Sequence, residues 1–242
     1  MSELILELKG VDMQFGGLKA LSNISMSVRR GEFIGIIGPN GAGKTTLFNA
    51  ISGVIPPTAG EVRVAGRPMQ GRAPNDYCKL GVARTFQTPR IFPDMTVRDN
   101  VRFAHTFGNA SGQGIELIEQ VMHAVGMAGA SNETAGAMPP ARQRQLEIAM
   151  ALATSPRLLL LDEVAAGLTE GEVEEVARLI QQLRGDYDLT VVWIEHAVKT
   201  LMKTVERVAV LNFGELIADG TPEQVAADQK VIDAYLGEEE AA

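Results

Sequence analysis

Cysteine is all but missing from this 242-residue chain. Cys78 stands alone, which excludes an internal disulfide and any multi-cysteine metal site and fits a reducing compartment. A basic excess is missing too: 22 lysines and arginines face 30 aspartates and glutamates, a net charge of −8. That balance argues against a general binder of nucleic acid or of anionic membranes. No window approaches ~18 uninterrupted apolar residues, so no segment is expected to span a bilayer. The opening "MSELILELKG" sets acids among its apolar residues and lacks the basic start and long apolar run of a secretory signal. If such a chain works at a membrane, another chain carries it there.

What is present is ordinary in bulk: 45% apolar and 21% charged residues, in a length that suits one large domain or a core with a small insertion. "LILELKGV" and "ISMSVRR" alternate as strands do, and Phe33 to Ile37 is a short, β-branched run expected to be covered on both faces. "PPTAGEVRVAG" reads as a turn and a short strand. From about Pro89 to Thr154 the pattern turns helical. Thr96 to Asp99 makes a helix start, and Ile115, Ile118, Met122 and Val125 recur at helical spacing beyond a polar loop "HTFGNASGQG". "PRLLLLDE" and "LTVVWIEH" read as further buried strands. Between them, Thr169 and Glu172 offer a capping box to a helix carrying Val173, Val176, Ile180 and Leu183. "RVAVLNFGELIADG" reads as a closing hairpin, Thr221 to Gln224 starts the terminal helices, and "EEEAA" reads as a frayed tail. Strands alternating with helices predict an α/β protein with a helical insertion.

One stretch carries chemistry. "GPNGAGKTT" comprises Gly38, Pro39, Asn40, Gly41, Ala42, Gly43, Lys44, Thr45 and Thr46. Its first eight residues fit G-x-x-x-x-G-K-[ST] between a buried strand and a helix, the context the pattern requires. Glycines let backbone N–H groups converge on an anion, and the helix start adds its positive end. Lys44 then reaches the β- and γ-phosphates, and the Thr45 hydroxyl ligates Mg²⁺. The competing reading is a glycine-rich surface turn with a chance Gly-Lys-Thr. "LLLLDE" supports the first: Asp162 at a strand end sets a carboxylate beside the metal, and Glu163 can accept a proton from attacking water. Gln87 in "RTFQ" reads either as a ligand of metal-bound water or as a solvated loop residue. His196 reads as a γ-phosphate contact or a structural strand-end histidine. Phe15 reads as an adenine-stacking ring or a core phenylalanine. Trp193 and the methionines read as core.

In order, Phe15, "GPNGAGKTT", "TFQ", a helical stretch, "LLLLDE", "AAGLT" and "IEH" resemble the ATP-binding subunit of an ABC transporter over essentially the whole chain. "FGGLKAL", "GVARTFQTPRIFPDMTVRDNV", "RQLEIAMAL", "DEVAAGL", "WIEHAVK" and "VIDAYLGE" resemble one branch, the ATPase subunits of branched-chain amino acid importers and relatives carrying amides, urea or aromatic acids. The resemblance implies a P-loop NTPase (RecA-like) core with an N-terminal antiparallel β part and an inserted α-helical subdomain. That is a single domain over 1–242, with the core and β part at about 1–88 and 155–242 and the helical subdomain at about 89–154. It also implies that Phe15 stacks on adenine, Gly38 to Thr46 holds ATP and Mg²⁺, and Gln87 senses the γ-phosphate and touches the membrane subunit. Asp162 holds the metal through water, Glu163 is the general base and His196 the γ-phosphate switch. The expected partners are transmembrane permease subunits, a second ATP-binding subunit and, indirectly, a solute-binding protein, with no nucleic acid. The implied location is cytoplasmic, peripheral on the inner face of the cell membrane.

The chain departs from that family where a serine- and glycine-rich signature normally precedes "RQLEIAMAL". Pro139, Pro140, Ala141 and Arg142 stand there instead. Val164 replaces the proline that usually follows the Asp-Glu pair, and Ala197 replaces an acid after the histidine. Prolines have no N–H to offer an anion. One reading of the proline pair is a helix start with no remaining ATP role. The second, which is the expectation, is an asymmetric heterodimer, a homodimer being the alternative. It hydrolyses ATP at the site built on this chain's phosphate loop and mostly holds it at the other, with Arg142 offering a charged fork to that second γ-phosphate. The other readings are a regulatory subunit with little turnover and a non-transport ABC ATPase, though the tandem cassettes, long coiled coil or zinc cysteines frequent in the latter are lacking. A GTPase is disfavoured because no Asn-Lys-x-Asp occurs.

Overall fold

The computed structural model describes residues 3–108 and 115–239. Two twelve-residue strands, β1 (Leu4–Phe15) and β2 (Leu18–Arg29), precede β3 (Phe33–Ile37) and, past the glycine-rich loop, α1 (Lys44–Ile51). Then come β4 (Ala59–Val64), β5 (Arg67–Pro68), α2 (Pro74–Lys79) and β6 (Val82–Arg84). Three helices follow, α3 (Val97–Phe107), α4 (Ile115–Ala124) and α5 (Pro140–Ala153). The chain returns through β7 (Leu158–Asp162), α6 (Glu170–Tyr187), β8 (Thr190–Ile194), α7 (Val198–Thr204) and β9 (Arg207–Asn212). It ends with β10 (Glu215–Gly220), α8 (Pro222–Ala226) and α9 (Gln229–Glu239).

β2, β1, β4 and β5 form one antiparallel sheet in that order, and a second sheet runs β10-β9-β3-β8-β7-β6. In the second, every pair from β9 to β6 is parallel, and β10 closes the edge as an antiparallel hairpin with β9. The period of two along its strands divides the core. Phe33, Leu159, Leu161, Val191, Trp193, Val208 and Val210 join the cluster under α3 to α6. Their neighbours Ile34, Ile36, Leu158, Leu160, Val192, Ile194, Ala209 and Leu211 join the cluster shared with α1 and the antiparallel sheet. Apolar helices or strands cover both faces, which is why the middles of these strands are apolar at successive positions rather than alternating. Trp193 is fully buried and stacks on Phe33 with ring centroids 6.0 Å apart.

Local signals hold where they are strongest. Thr96 caps α3 by accepting from the amide of Asp99 at 3.1 Å. Thr169 and Glu172 close a reciprocal box on α6, whose Val173, Val176, Ile180 and Leu183 are all buried. Thr221 and Gln224 do the same on α8. Ile118, Met122 and Val125 are buried; the Ile115 side chain lies outside the described residues. Two boundaries differ. α3 runs through His105 to Phe107, residues assigned above to a loop, because Phe103 and Phe107, one turn apart, pack at 4.9 Å and His105 Nδ1 lies 3.3 Å from the Ala153 carbonyl. Residues 109–114 of that expected loop lie outside the described set. α9 continues to Glu239, so the first acids of the expected frayed tail are helical, and 240–242 lie outside the described residues.

Candidate active site

β3, β8 and β7 are neighbours running in the same direction, so the segments leaving them, Gly38 onward, Glu195–His196 and Glu163 onward, emerge together at the sheet's C-terminal edge. In an open parallel sheet this is where ligands bind. Glycine makes the first exit possible. Gly38 sits at φ 151°, and a Cβ there would lie 2.1 Å from the Leu211 carbonyl oxygen of β9. Gly43, the residue before α1, has φ 102°, and its Cβ would press on the Ala20 carbonyl at 2.7 Å. α1 therefore begins with no side-chain cap and no acid in its first turn, so nothing of opposite charge within the helix offsets its positive end at the cleft. Lys44 is buried, its Nζ donating to the carbonyls of Gly38 at 2.6 Å and Pro39 at 2.9 Å. Asn40 through Thr46 line a cleft of about 640 Å³, while Gly38 and Pro39 sit behind it. The tip of the β9–β10 hairpin braces the loop, Gly214 N donating to the Ala42 carbonyl at 3.0 Å.

Asp162, the last residue of β7, is 2% exposed. Its Oδ2 accepts from Arg84 Nη2 at 2.7 Å, and Arg84 Nη1 also donates to Asn49 Oδ1 at 2.8 Å and Ser52 Oγ at 3.0 Å. Asp162 Oδ1 has no hydrogen-bond partner among the described residues. Burial pushes the Asp162 carboxyl above its usual range and the Glu163 charge adds to this, while Arg84 opposes them. Glu163 departs into left-handed backbone at φ 49°, uncommon for a side-chain-bearing residue and characteristic of functional sites. Both of its oxygens are held: Oε2 accepts from Gln87 Nε2 at 2.7 Å, and Oε1 lies 2.9 Å from His196 Nε2. Gln87 and His196, each ambiguous in sequence, thus converge on one carboxylate that lines the cleft with them. Asp162 does not line it.

Phe15 closes β1 at the rim of the same cleft, 45% exposed, and is not a core residue. Leu18 and Phe213, at 68% and 87%, stand on that rim as well. Sequence reasoning missed Phe213, whose only signal was an apolar residue before Gly214 at a hairpin tip. It also missed Arg84 and Glu195. Glu195 is buried, accepting from Ala165 N at 2.6 Å, Trp193 Nε1 at 3.3 Å and His196 N at 3.1 Å, so it fastens the strand end bearing His196 to the loop after Glu163. Burial raises its pKa against these three bonds. An acid inside "VVWIEH" was a readable signal, because a buried carboxylate requires partners. Arg142 stands apart from the cleft, one guanidinium nitrogen 3.3 Å from the Gly126 carbonyl.

Glycine-freed amides, a lysine beneath them and a glutamate held at both oxygens are the parts of a phosphate-handling cassette on an α/β sheet. The chain belongs to the ABC transporter family, whose pattern matches residues 21–166, and is one of its ATP-binding cassettes, the ATPase components of such transporters. A second pattern, described as branched-chain amino acid ATP-binding cassette transporter, matches residues 215–241. Over 254 aligned positions the chain is 38% identical to the high-affinity branched-chain amino acid transport ATP-binding protein BraF of Pseudomonas aeruginosa, covering 98% of this chain and all 100% of that one. It is 36% identical to LivG of Escherichia coli K12, described in the same terms, with the same coverage. Among solved structures it superposes on MJ1267, an ATP-binding cassette of an ABC transporter in its ADP conformation, with a TM-score of 0.88 at 28% identity, over 97% of this chain and 99% of that one. A dimeric cassette, MJ0796 with ADP and Pi in a post-hydrolysis state, matches with a TM-score of 0.78 at 25% identity, over 90% and 99%. No helix among the described residues is long and apolar enough to cross a membrane.

Proposed function

We infer that this cassette drives import of branched-chain amino acids or related small polar solutes, seated on the inner face of the cell membrane against two permease subunits. The observation that carries the hydrolytic part is Glu163, held between Gln87 and His196 in the cleft that the glycine-rich loop also lines. The likeness to BraF and LivG supports the solute class. Residues at about 89–154 act as the helical subdomain on the α/β core.

In this reading the loop amides and Lys44 grip the β- and γ-phosphates, and Phe15 stacks on the adenine from the rim. Glu163 takes the proton from the water attacking in line, and His196, already on Glu163, steadies the γ-phosphate as the bond to the leaving group breaks. Positioning and charge supply most of the acceleration in such sites. The residues also fit Mg²⁺: Asp162 Oδ1 is a buried acceptor without a partner among the described residues, and with the Thr45 hydroxyl and the Gln87 amide oxygen it makes an all-oxygen donor set. Bound there, Mg²⁺ would neutralise phosphate charge.

The cassette pairs with a second ATP-binding subunit as an asymmetric heterodimer. The dimeric likeness supports pairing, and the start of α5, Pro139 and Pro140 without N–H groups, supports the asymmetry. Each catalytic glutamate of the reconstituted complex is to be replaced by glutamine in turn. Losing Glu163 abolishes most turnover, and losing the partner's glutamate matters little. Equal losses, or a stable active homodimer of this chain, defeat the asymmetric reading.

A further inference from the structure

Beside the cleft, α5 carries a buried ion pair. Arg144 and Glu147 are each 4% exposed, one turn apart, with Arg144 Nη1 2.9 Å from Glu147 Oε2. Both side chains also bond to the loop that carries Gln87. Arg144 Nη1 donates to the Phe86 carbonyl and Nη2 to the Gln87 carbonyl, both at 2.6 Å. Glu147 Oε1 accepts from the amides of Phe86 and Arg90, both at 3.0 Å. Four backbone groups within five residues of an irregular loop are thereby bonded to one helix.

Stability alone is a poor reason for this pair, since buried ion pairs are often replaceable by apolar residues without loss. Geometry supplies a better one. A free loop would let the Gln87 side chain wander, yet Gln87 Nε2 sits 2.7 Å from Glu163 Oε2. The planar guanidinium and the carboxylate fix the backbone on both sides of Gln87 with bonds of opposite polarity, which pins position as well as orientation. A continuous hydrogen-bonded chain results: Arg144 and Glu147, the loop backbone, Gln87, Glu163, His196. Its far end is the helix that starts at Pro139 and Pro140.

We propose that Arg144 and Glu147 are positioning residues for the hydrolytic step, holding Gln87 on Glu163 and tying the start of α5 to this chain's own catalytic glutamate. The role rests on the reading of Glu163 as the base.

The test is a double-mutant cycle in the reconstituted transporter, joining Arg144→Met with Gln87→Ala, with kcat and KM for Mg-ATP measured for each variant. Nucleotide titration and thermal melting of each accompany them. Arg144→Met is expected to lower kcat ~10–100-fold, as small misplacements of catalytic groups do, with KM and binding within about twofold. In the Gln87→Ala background the same change should add little, because groups acting as a unit are not additive. Arg144→Lys, with one head group for two carbonyls, should fall between. Losses that multiply independently, an unchanged kcat in Arg144→Met, or a kcat loss that only tracks melting overturn the proposal. Glu147→Leu combined with Arg144→Met leaves no buried charge unpaired and repeats the test should the single variant fold poorly. A wild-type complex without ATP turnover would instead count against the proposed function.

Discussion

Two helix starts in this molecule have the same dipole and opposite uses. α1 and α5 both begin without a side-chain cap and without an acid in the first turn, so each presents its positive end bare. α1 is entered through glycines, has Lys44 buried beneath it and opens on the cleft. α5 is entered through Pro139 and Pro140, neither of which has an N–H, and the amides of Arg142 and Gln143 turn back to the Pro139 carbonyl at 2.9 and 3.0 Å. The dipole is therefore not what makes a phosphate site. A glycine entry and a buried cation separate α1 from α5, and on the proposed reading these are what make its start the phosphate site.

The largest effect that can test this contrast falls on the chemistry at the α1 site. Glu163→Gln keeps the shape, and its amide can still meet His196, but it removes the proposed base, so phosphate release should drop by ~10²–10⁴-fold while ATP still binds. Dimers should then persist with ATP. Unchanged turnover in the complex would place hydrolysis elsewhere. Next in size is Lys44→Ala. It removes a charge-assisted phosphate contact and should cost ~1.5–3 kcal/mol of Mg-ATP affinity by titration. The lysine also ties the carbonyls of Gly38 and Pro39, so part of that loss belongs to a slacker loop. Equal affinities would erase the difference between the two helix starts.

The glycine-rich loop between β3 and α1 was readable as a pattern because one chemistry demands its residues at fixed spacing, and the buried strands were readable because both of their faces are covered. α6 was readable to its cap because Thr169, Glu172 and the apolar stripe are all local. Gln87, His196 and Phe15 were legible as candidates only. Their roles depend on segments leaving β1 in one sheet and β6 and β8 in the other meeting at one cleft, which no window of sequence contains. Arg84, Glu195, Arg144 and Glu147 escaped for a related reason. Charged residues are usually solvated, and the bonds that hold Arg84, Arg144, Glu147 and Glu195 to other elements run to residues 30 to 80 positions away, as from Arg84 to Asp162. The overrun of α3 escaped because glycine and asparagine beyond it looked like a loop already begun.

The smallest effect bears on the α5 start itself. Pro139 sits at φ −57° and ψ 153°, a conformation serine adopts freely, and it is the N-cap residue. Pro139→Ser supplies a hydroxyl to accept from the first-turn amides, worth about 1 kcal/mol, and gives up the proline's restriction of the unfolded chain, which costs ~0.4–1 kcal/mol. The two nearly cancel, so the melting temperature should move by no more than ~2 °C in a chain of this size. Function should respond more than stability. On the asymmetric reading, the residual hydrolysis of a complex already carrying Glu163→Gln comes from the opposite site, the one facing Pro139. A new N–H and hydroxyl there restore donors at the helix start, and the residual rate should rise several-fold with no change in melting. If the rate stays flat, the missing donors are not what separates the two helix starts, and the constraint lies with Pro140, whose ring still occupies the first helical position.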